Sequence, residues 1–353
     1  MIKFALLGCG RIAHRHAELL TNGQIKNVKL IAVCDKVHSK AKKLANLFNC
    51  KSYKDLDLMI KENKIDVVSV LTESGNHSKH AIELSKYNIH VIVEKPMALR
   101  VKDAEKMIEI FEKKKLKLFV VKQNRFNPAI VKLKEAVKNK LLGKIFLATI
   151  RVRWKRDQKY YSLDSWRGTW ALDGGVLANQ AIHHIDLLEW IVGDVESVFA
   201  KGINALSKIE AEDTAVVILK FKNGSLGLIE ATTATRPKDL EGSISILGSK
   251  GTVEIGGFAV NEIKNWEMQM DGKSKNKIDK KKYLTLPPNV YGFGHKLFYE
   301  NVIKSLKNKS NLATNGRDGI KSLILVNSIY KSIETGREIF IKKSGFKIKL
   351  GEN

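Results

Sequence analysis

A strand, a glycine turn and a helix at the start of the chain constrain the fold more than any other stretch. Ile2 to Leu7 is apolar and reads as a buried strand. Gly8-Cys9-Gly10-Arg11-Ile12-Ala13 forms a G-x-G-x-x-A turn, a helix begins near Ile12, and Lys29 to Cys34 is a second strand ending at Asp35. Each small residue is there for a physical reason. Gly8 permits the tight turn, Gly10 lets the backbone approach a pyrophosphate, and Ala13 lets the helix lie close to the sheet. The helix start offers unpaired N–H groups to phosphates. Asp35, 22 residues beyond Ala13, stands where a carboxylate binds the adenosine ribose hydroxyls. An acid there favours NAD over NADP, while the adjacent Lys36 argues the other way.

The 353 residues suggest two domains. No apolar run approaches the roughly 20 residues needed to span a bilayer. Leu6-Leu7-Gly8-Cys9 imitates a lipoprotein cleavage site, but the stretch before it is too short for a signal peptide. Cys9, Cys34 and Cys50 show no C-x-x-C spacing, which argues against disulfides and structural zinc and leaves the cytoplasm as the expected compartment. His14 and His16, two residues apart, diverge around a helix, so no metal is expected. The net charge of +25 comes mostly from scattered lysines without a nucleic-acid-binding motif. It is read as a solvated surface that suits an anionic cofactor and substrate, not as a nucleic-acid or membrane interface.

Strands and helices alternate as far as Lys117 to Lys122, which predicts a doubly wound parallel sheet, an α/β Rossmann domain over 1–123. Asn76 to Tyr87 reads as a helix between the strands Ile65 to Leu71 and His90 to Val93. From 124 to 353 the pattern changes to a substrate-binding and oligomerisation domain of α+β type with a largely antiparallel open sheet. Strands are expected at Lys144 to Lys155, Val195 to Gly202, Thr214 to Phe221, Ser225 to Thr233, Glu241 to Leu247 and Gly251 to Gly256. Residues 270–282 read as a loop, 295–309 and 316–335 as helices.

Two further stretches carry chemistry. Glu94-Lys95-Pro96 follows the strand His90 to Val93, at the carboxyl end where parallel sheets bind ligands. Partial burial favours the neutral form of a lysine, which accepts a proton from a hydroxyl. The run from Gly175 to Leu188 reads as a helix with an apolar face, on which Asn179 and His183, four apart, share a polar face. The neighbouring His184 reads as a satisfied core imidazole.

Together these motifs resemble the Gfo/Idh/MocA family of NAD(P)-dependent sugar oxidoreductases. Asn179 stands where most members carry aspartate. That departure, with Lys122 to Pro128, Arg153-Trp154, Trp166 to Trp170 and Asn179 to His183, is similar to the branch that oxidises UDP-N-acetylglucosaminuronic acid (UDP-GlcNAcA) at C3′ for surface-polysaccharide synthesis. The resemblance implies NAD as cofactor, with Gly8, Gly10, Arg11, Ile12, Asp35, Glu94, Lys95, Gln123, Trp166 and Arg167 around it. It implies Lys95 as base and His183 as its partner on the C3′ hydroxyl. Asn179, Arg156, Gln158 and Tyr160 would hold the sugar, with an asparagine sparing a substrate that carries a diphosphate and a carboxylate the repulsion of an aspartate. It further implies a homotetramer, a downstream aminotransferase, and in some relatives 2-oxoglutarate as recycling oxidant. The rivals are another sugar or inositol dehydrogenase of the family and a non-catalytic NAD-binding regulator.

Overall fold

The computed structural model describes residues 1–270, 273–274, 278–283, 294–308 and 314–352. It divides into two compact units. The first comprises Met1–Ala98, Lys102–Val121 and His295–Ile320; the second comprises Leu99–Val101, Lys122–Gly294 and Lys321–Asn353.

The first unit alternates as the sequence predicts: β1 (Ile2–Leu7), α1 (Arg11–Thr21), β2 (Val28–Cys34), α2 (His38–Phe48), β3 (Lys51–Tyr53), α3 (Leu56–Lys61), β4 (Val67–Val70), α4 (His77–Leu84), β5 (His90–Val93), α5 (Val101–Lys113) and β6 (Leu118–Val120). The strands lie parallel in the order β3-β2-β1-β4-β5-β6. Their side chains are apolar on both faces because helices cover both; Phe4, Leu6, Val67, Val91 and Ile92 are fully buried. The chain runs outward from β1 to β3, then returns to lay β4 on β1's other side. The crevice between β1 and β4 is therefore the topological switch point, where such sheets take their ligands.

The domain boundary drawn from sequence kept 295–320 with the second half; the structure places these residues in the first unit. Within α9 (Gly294–Leu306), the Tyr299 hydroxyl lies 2.6 Å from His16 Nδ1 and 3.1 Å from Ser69 Oγ. Thr314 exchanges two hydrogen bonds with Val120 on the edge strand. Polar groups that would otherwise be orphaned in the core thereby find partners.

The second unit is built on β7 (Ile145–Arg153), β8 (Val195–Ile203), β9 (Thr214–Phe221), β10 (Leu226–Thr232), β11 (Glu241–Gly248), β12 (Gly251–Gly256), β13 (Glu262–Met270), β14 (Lys273–Ser274) and β15 (Ile339–Phe340), with α6 (Pro128–Lys138), α7 (Gln158–Tyr161), α8 (Ile182–Val192) and most of α10 (Gly316–Thr335). The strand order is β14-β13-β12-β11-β7-β10-β9-β8-β15, antiparallel throughout except β7 with β10. Burial alternates along β9: Ala215, Val217, Leu219 and Phe221 enter the core, while Val216 and Ile218 face out. α8 supplies Ile185, Leu187 and Leu188 to the same core.

β13 was not anticipated. Of the loop expected at 270–282, residues 273–274 pair with Gln269 and Met270, and 271–272 and 275–277 lie outside the described residues, as does Lys309. Among the described residues no helix is long and apolar enough to cross a membrane.

Candidate active site

In the first unit, Gly8 has φ +99°, and a Cβ there would stand 2.7 Å from the backbone carbon and oxygen of Leu71. The turn therefore closes against the end of β4, and only glycine fits. Gly8→Ala is expected to cost about 1–3 kcal/mol of stability through strain at this φ, and to weaken NADH binding. Wild-type melting and NADH affinity in that variant would refute the close-approach argument. Gly10 begins α1 and faces open space. The first turn of α1 has neither a side-chain cap nor an acid, so its N–H groups stay available to an anion. Arg11 is exposed beside it, Ile12 half-buried and Ala13 fully buried.

Asp35 braces this turn. One carboxylate oxygen accepts from Cys9 N at 2.8 Å, the other from Val37 N at 2.8 Å. Such a carboxylate is held in place at the end of β2 with lone pairs remaining for ribose hydroxyls. The cradle fits an adenine dinucleotide.

The Glu94-Lys95-Pro96 turn leaves β5, with Glu94 N donating to Val70 O across the sheet. Lys95 is half-buried. The Glu94 side chain points inward. Its Oε1 lies 3.1 Å from His16 Nε2 and 3.8 Å from His295 Nε2, and its Oε2 accepts from Lys95 N at 3.0 Å. Burial alone would push the Glu94 carboxyl up; the hydrogen bond with His16 and the nearby His295 imidazole outweigh it and hold it well below the ordinary carboxylate range. Burial pushes His16 down. A buried carboxylate thus anchors the backbone of the lysine turn. The sequence reading missed this cluster, although His16 falls with Ala13, Ala17 and Leu20 on the apolar face of α1, a placement that signals an inward imidazole. His16, Glu94 and His295 each offer a ligand atom within 4.8 Å of the others, a grouping that the separation of His14 and His16 did not suggest.

In the second unit, α8 begins at Ile182, later than the helix expected from Gly175. The reason is tertiary. Val176 N donates to the Glu212 carbonyl at 2.9 Å and Leu177 N to the Glu212 carboxylate at 3.0 Å. Gly175 lies so close that a Cβ would sit 2.1 Å from the Glu212 carbonyl oxygen. These contacts hold 175–181 as tight turns ahead of the helix. Burial raises the Glu212 carboxyl to about 7. Asn179 therefore sits in a turn, hydrogen-bonded to Asp173, instead of sharing a helix face with His183.

His183, on the first turn of α8, has Nε2 3.2 Å from Gln123 Nε2. The clamp around this pair is ionic. Arg125 grips Asp186 with two hydrogen bonds of 2.7 and 2.8 Å, and Lys122 Nζ lies 3.0 Å from the same carboxylate. The Arg125 guanidinium also stands over the Trp190 ring at 5.1 Å. His184 is core, as expected, yet unsatisfied: neither ring nitrogen has a hydrogen-bond partner among the described residues, and burial lowers it to about 4. It is packed edge-on against Trp154.

Of the remaining sugar-site candidates, Arg156 stands against Tyr160, and Arg167 joins them. The Arg167 Nη1 donates to the Tyr160 hydroxyl at 3.0 Å while its guanidinium covers the Trp166 ring at 4.6 Å. Arg156 lies over the Tyr160 ring at 5.4 Å and pairs with Asp239 at 3.2 Å. Gln158, Arg167 and Lys208 line a cavity of about 480 Å³ together with Tyr161, Ser207 and Glu210. Arg153, by contrast, is bound in the sheet by Glu230 at 2.6 Å and Glu241 at 2.9 Å.

Residues 2–122 match the NAD-binding Rossmann fold of the Gfo/Idh/MocA oxidoreductase family, and 134–341 match that family's C-terminal alpha/beta domain. The chain is 30% identical to the myo-inositol 2-dehydrogenase of Thermotoga maritima, over 97% of this chain and 99% of that one. Among solved structures it is similar to the WlbA dehydrogenase of Bordetella pertussis in complex with NADH and UDP-GlcNAcA (37% identity, TM-score 0.87, covering 97% of this chain and 99% of that one). The WlbA dehydrogenase of Chromobacterium violaceum, also with NADH and UDP-GlcNAcA, is 41% identical with a TM-score of 0.88, covering 97% and 96%.

Proposed function

Because this chain belongs to the Gfo/Idh/MocA oxidoreductase family, we propose that it oxidises the C3′ hydroxyl of UDP-GlcNAcA to a ketone. It is an oxidoreductase acting on a sugar or polyol CH–OH group with NAD. The observation that carries the finer reading is the 37% and 41% identity, along nearly the whole chain, to dehydrogenases crystallised with that nucleotide sugar. Asn179 in place of an acid and the cations Arg156 and Arg167 around Tyr160 suit a substrate with a diphosphate and a carboxylate.

In this reading NAD, when bound, would supply the acceptor for the hydride of C3′. Lys95 takes the hydroxyl proton, and His183 hydrogen-bonds the same oxygen, its ring oriented by Gln123. Asn179, Arg156, Gln158 and Tyr160 hold the sugar and its anionic groups, while Gly8, Gly10, Arg11, Ile12 and Asp35 take the cofactor, with Glu94, Gln123, Trp166 and Arg167 beside it. The product is a 3-keto sugar for an aminotransferase to consume in surface-polysaccharide synthesis. We assign the outer face of the second sheet, where Ile218 stands opposite Phe199 and both are exposed, to subunit contact in a cytoplasmic homotetramer.

A second reading, an inositol dehydrogenase, is favoured by the 30% identity to the Thermotoga enzyme. Purified protein should therefore be mixed with NAD and UDP-GlcNAcA, UDP-GlcNAc or myo-inositol in turn, each with and without 2-oxoglutarate. NADH absorbance or keto-sugar product with the uronate alone is the expected result. Turnover of myo-inositol without turnover of the uronate would overturn it. Product without net NADH, seen only when 2-oxoglutarate is present, identifies recycling of the cofactor in place.

A further inference from the structure

The acid that receives the adenosine ribose is followed at once by a cation. A lysine directly after that position is placed to receive the 2′-phosphate of NADP, so Asp35 and Lys36 pull the cofactor preference in opposite directions. The structure shows where the lysine goes. Lys36 Nζ lies 2.5 Å from Glu73 Oε1. Glu73 sits just past β4, across the switch point from β2, and its second oxygen is 3.3 Å from Asn76 Nδ2. The two partners differ in freedom: the Glu73 side chain is 17% exposed, that of Lys36 77%. Glu73 is therefore the fixed post and Lys36 the long arm tied to it.

Each of the two carboxylates has its own ties. Asp35 is held by Cys9 N and Val37 N, and Glu73 by Asn76 and Lys36. The charge of the one lysine that follows Asp35 is already matched by Glu73. A phosphate monoester brings about −1.5 to −2 charges at neutral pH. It would meet the fixed carboxylate of Asp35 and a lysine engaged by Glu73, whereas a ribose 2′-hydroxyl donates to a carboxylate and meets no repulsion.

We propose that Glu73 is a specificity-determining residue that selects NAD over NADP, by tying Lys36 into an ion pair that keeps its charge from the 2′-phosphate. The inference rests on the NAD-binding domain and on no assignment of the sugar, so its test is made without sugar. NADH and NADPH are titrated separately onto the wild-type protein, Glu73→Gln, Lys36→Ala and the double variant, with binding read by nicotinamide fluorescence.

Releasing the Lys36 cation to the phosphate should tighten NADPH binding by roughly 5- to 20-fold in Glu73→Gln. NADH affinity should change by less than about twofold, since its ribose carries no charge there. Lys36→Ala alone should give no gain for NADPH, and the double variant should lose most of the gain made by Glu73→Gln. The gain should also shrink at high salt, because the groups involved are near solvent. An unchanged ratio of NADPH to NADH affinity in Glu73→Gln would overturn the proposal, and so would a gain fully retained without Lys36. Glu73→Ala provides a second variant should the glutamine keep Lys36 by a neutral hydrogen bond, and unaltered NADH binding confirms that each variant is folded.

Discussion

Lys95→Ala is expected to lower turnover by about 10²- to 10⁴-fold, the range that a positioned general base contributes. NADH binding should stay within about twofold, because the phosphate cradle is built from backbone around Gly8 and Gly10, remote in sequence and independent of the lysine side chain. The expectation depends on how the turn is held. Glu94 is spent inward on His16 and on the Lys95 N–H, so the backbone of residue 95 remains anchored when the side chain is cut away. The loss then falls on kcat instead of on folding. Lys95→Arg should fail to rescue, since a guanidinium cannot give up its proton to act as base. Turnover near the wild-type level in the alanine variant would remove Lys95 from the reaction and leave His183 as the acceptor.

Much of this site was legible in the sequence because its signals are local. A strand, a turn of Gly8 and Gly10, a helix and an acid at the next strand end lie within 35 residues, and Glu94-Lys95-Pro96 marks itself by following a run of apolar residues. The alternation that announces β9 and β12 is equally local. What escaped was set by contacts distant in sequence. Nothing in α9 says which sheet it will lie against; that is decided by the pairing of Tyr299 with Ser69 and His16. The late start of α8 depends on Glu212, some thirty residues on, drawing Val176 N and Leu177 N out of the helical pattern. β13 was hidden by a bulge. Its register shifts opposite Glu254 and Ile255, so Ile263 and Trp266, both buried, are three apart and the two-residue period is lost. The tie between Lys36 and Glu73 spans 37 residues and belongs to the same class.

Asp186→Asn is expected to destabilise the fold by about 3–5 kcal/mol, the cost of leaving buried charge without its partner. For the second unit, of roughly 200 residues, that corresponds to a fall in Tm of about 6–20 °C. The Asp186, Lys122 and Arg125 side chains are only 3, 3 and 7% exposed. Burial alone would raise the Asp186 carboxyl, yet the charges of Lys122 and Arg125 hold it at about 2, below the ordinary 3.8. A carboxyl depressed in the folded state stabilises above its unfolded pKa and loses that contribution as pH falls through the folded value. This part of the stability should thus be intact above about pH 4, decline between 4 and 2 in the wild type, and be missing at every pH in the variant. The exposed pair Arg317–Glu112 provides the contrast: despite its two hydrogen bonds, Glu112→Gln should barely move Tm, because solvent screens both partners. The consequence reaches the site, because Lys122 and Arg125 flank Gln123 while Asp186 stands one turn beyond His183. Loosening the clamp should therefore release the contact between Gln123 and His183 and lower kcat at temperatures where the variant is still folded. Wild-type melting and turnover in Asp186→Asn would show that the clamp neither holds α8 in place nor positions the imidazole.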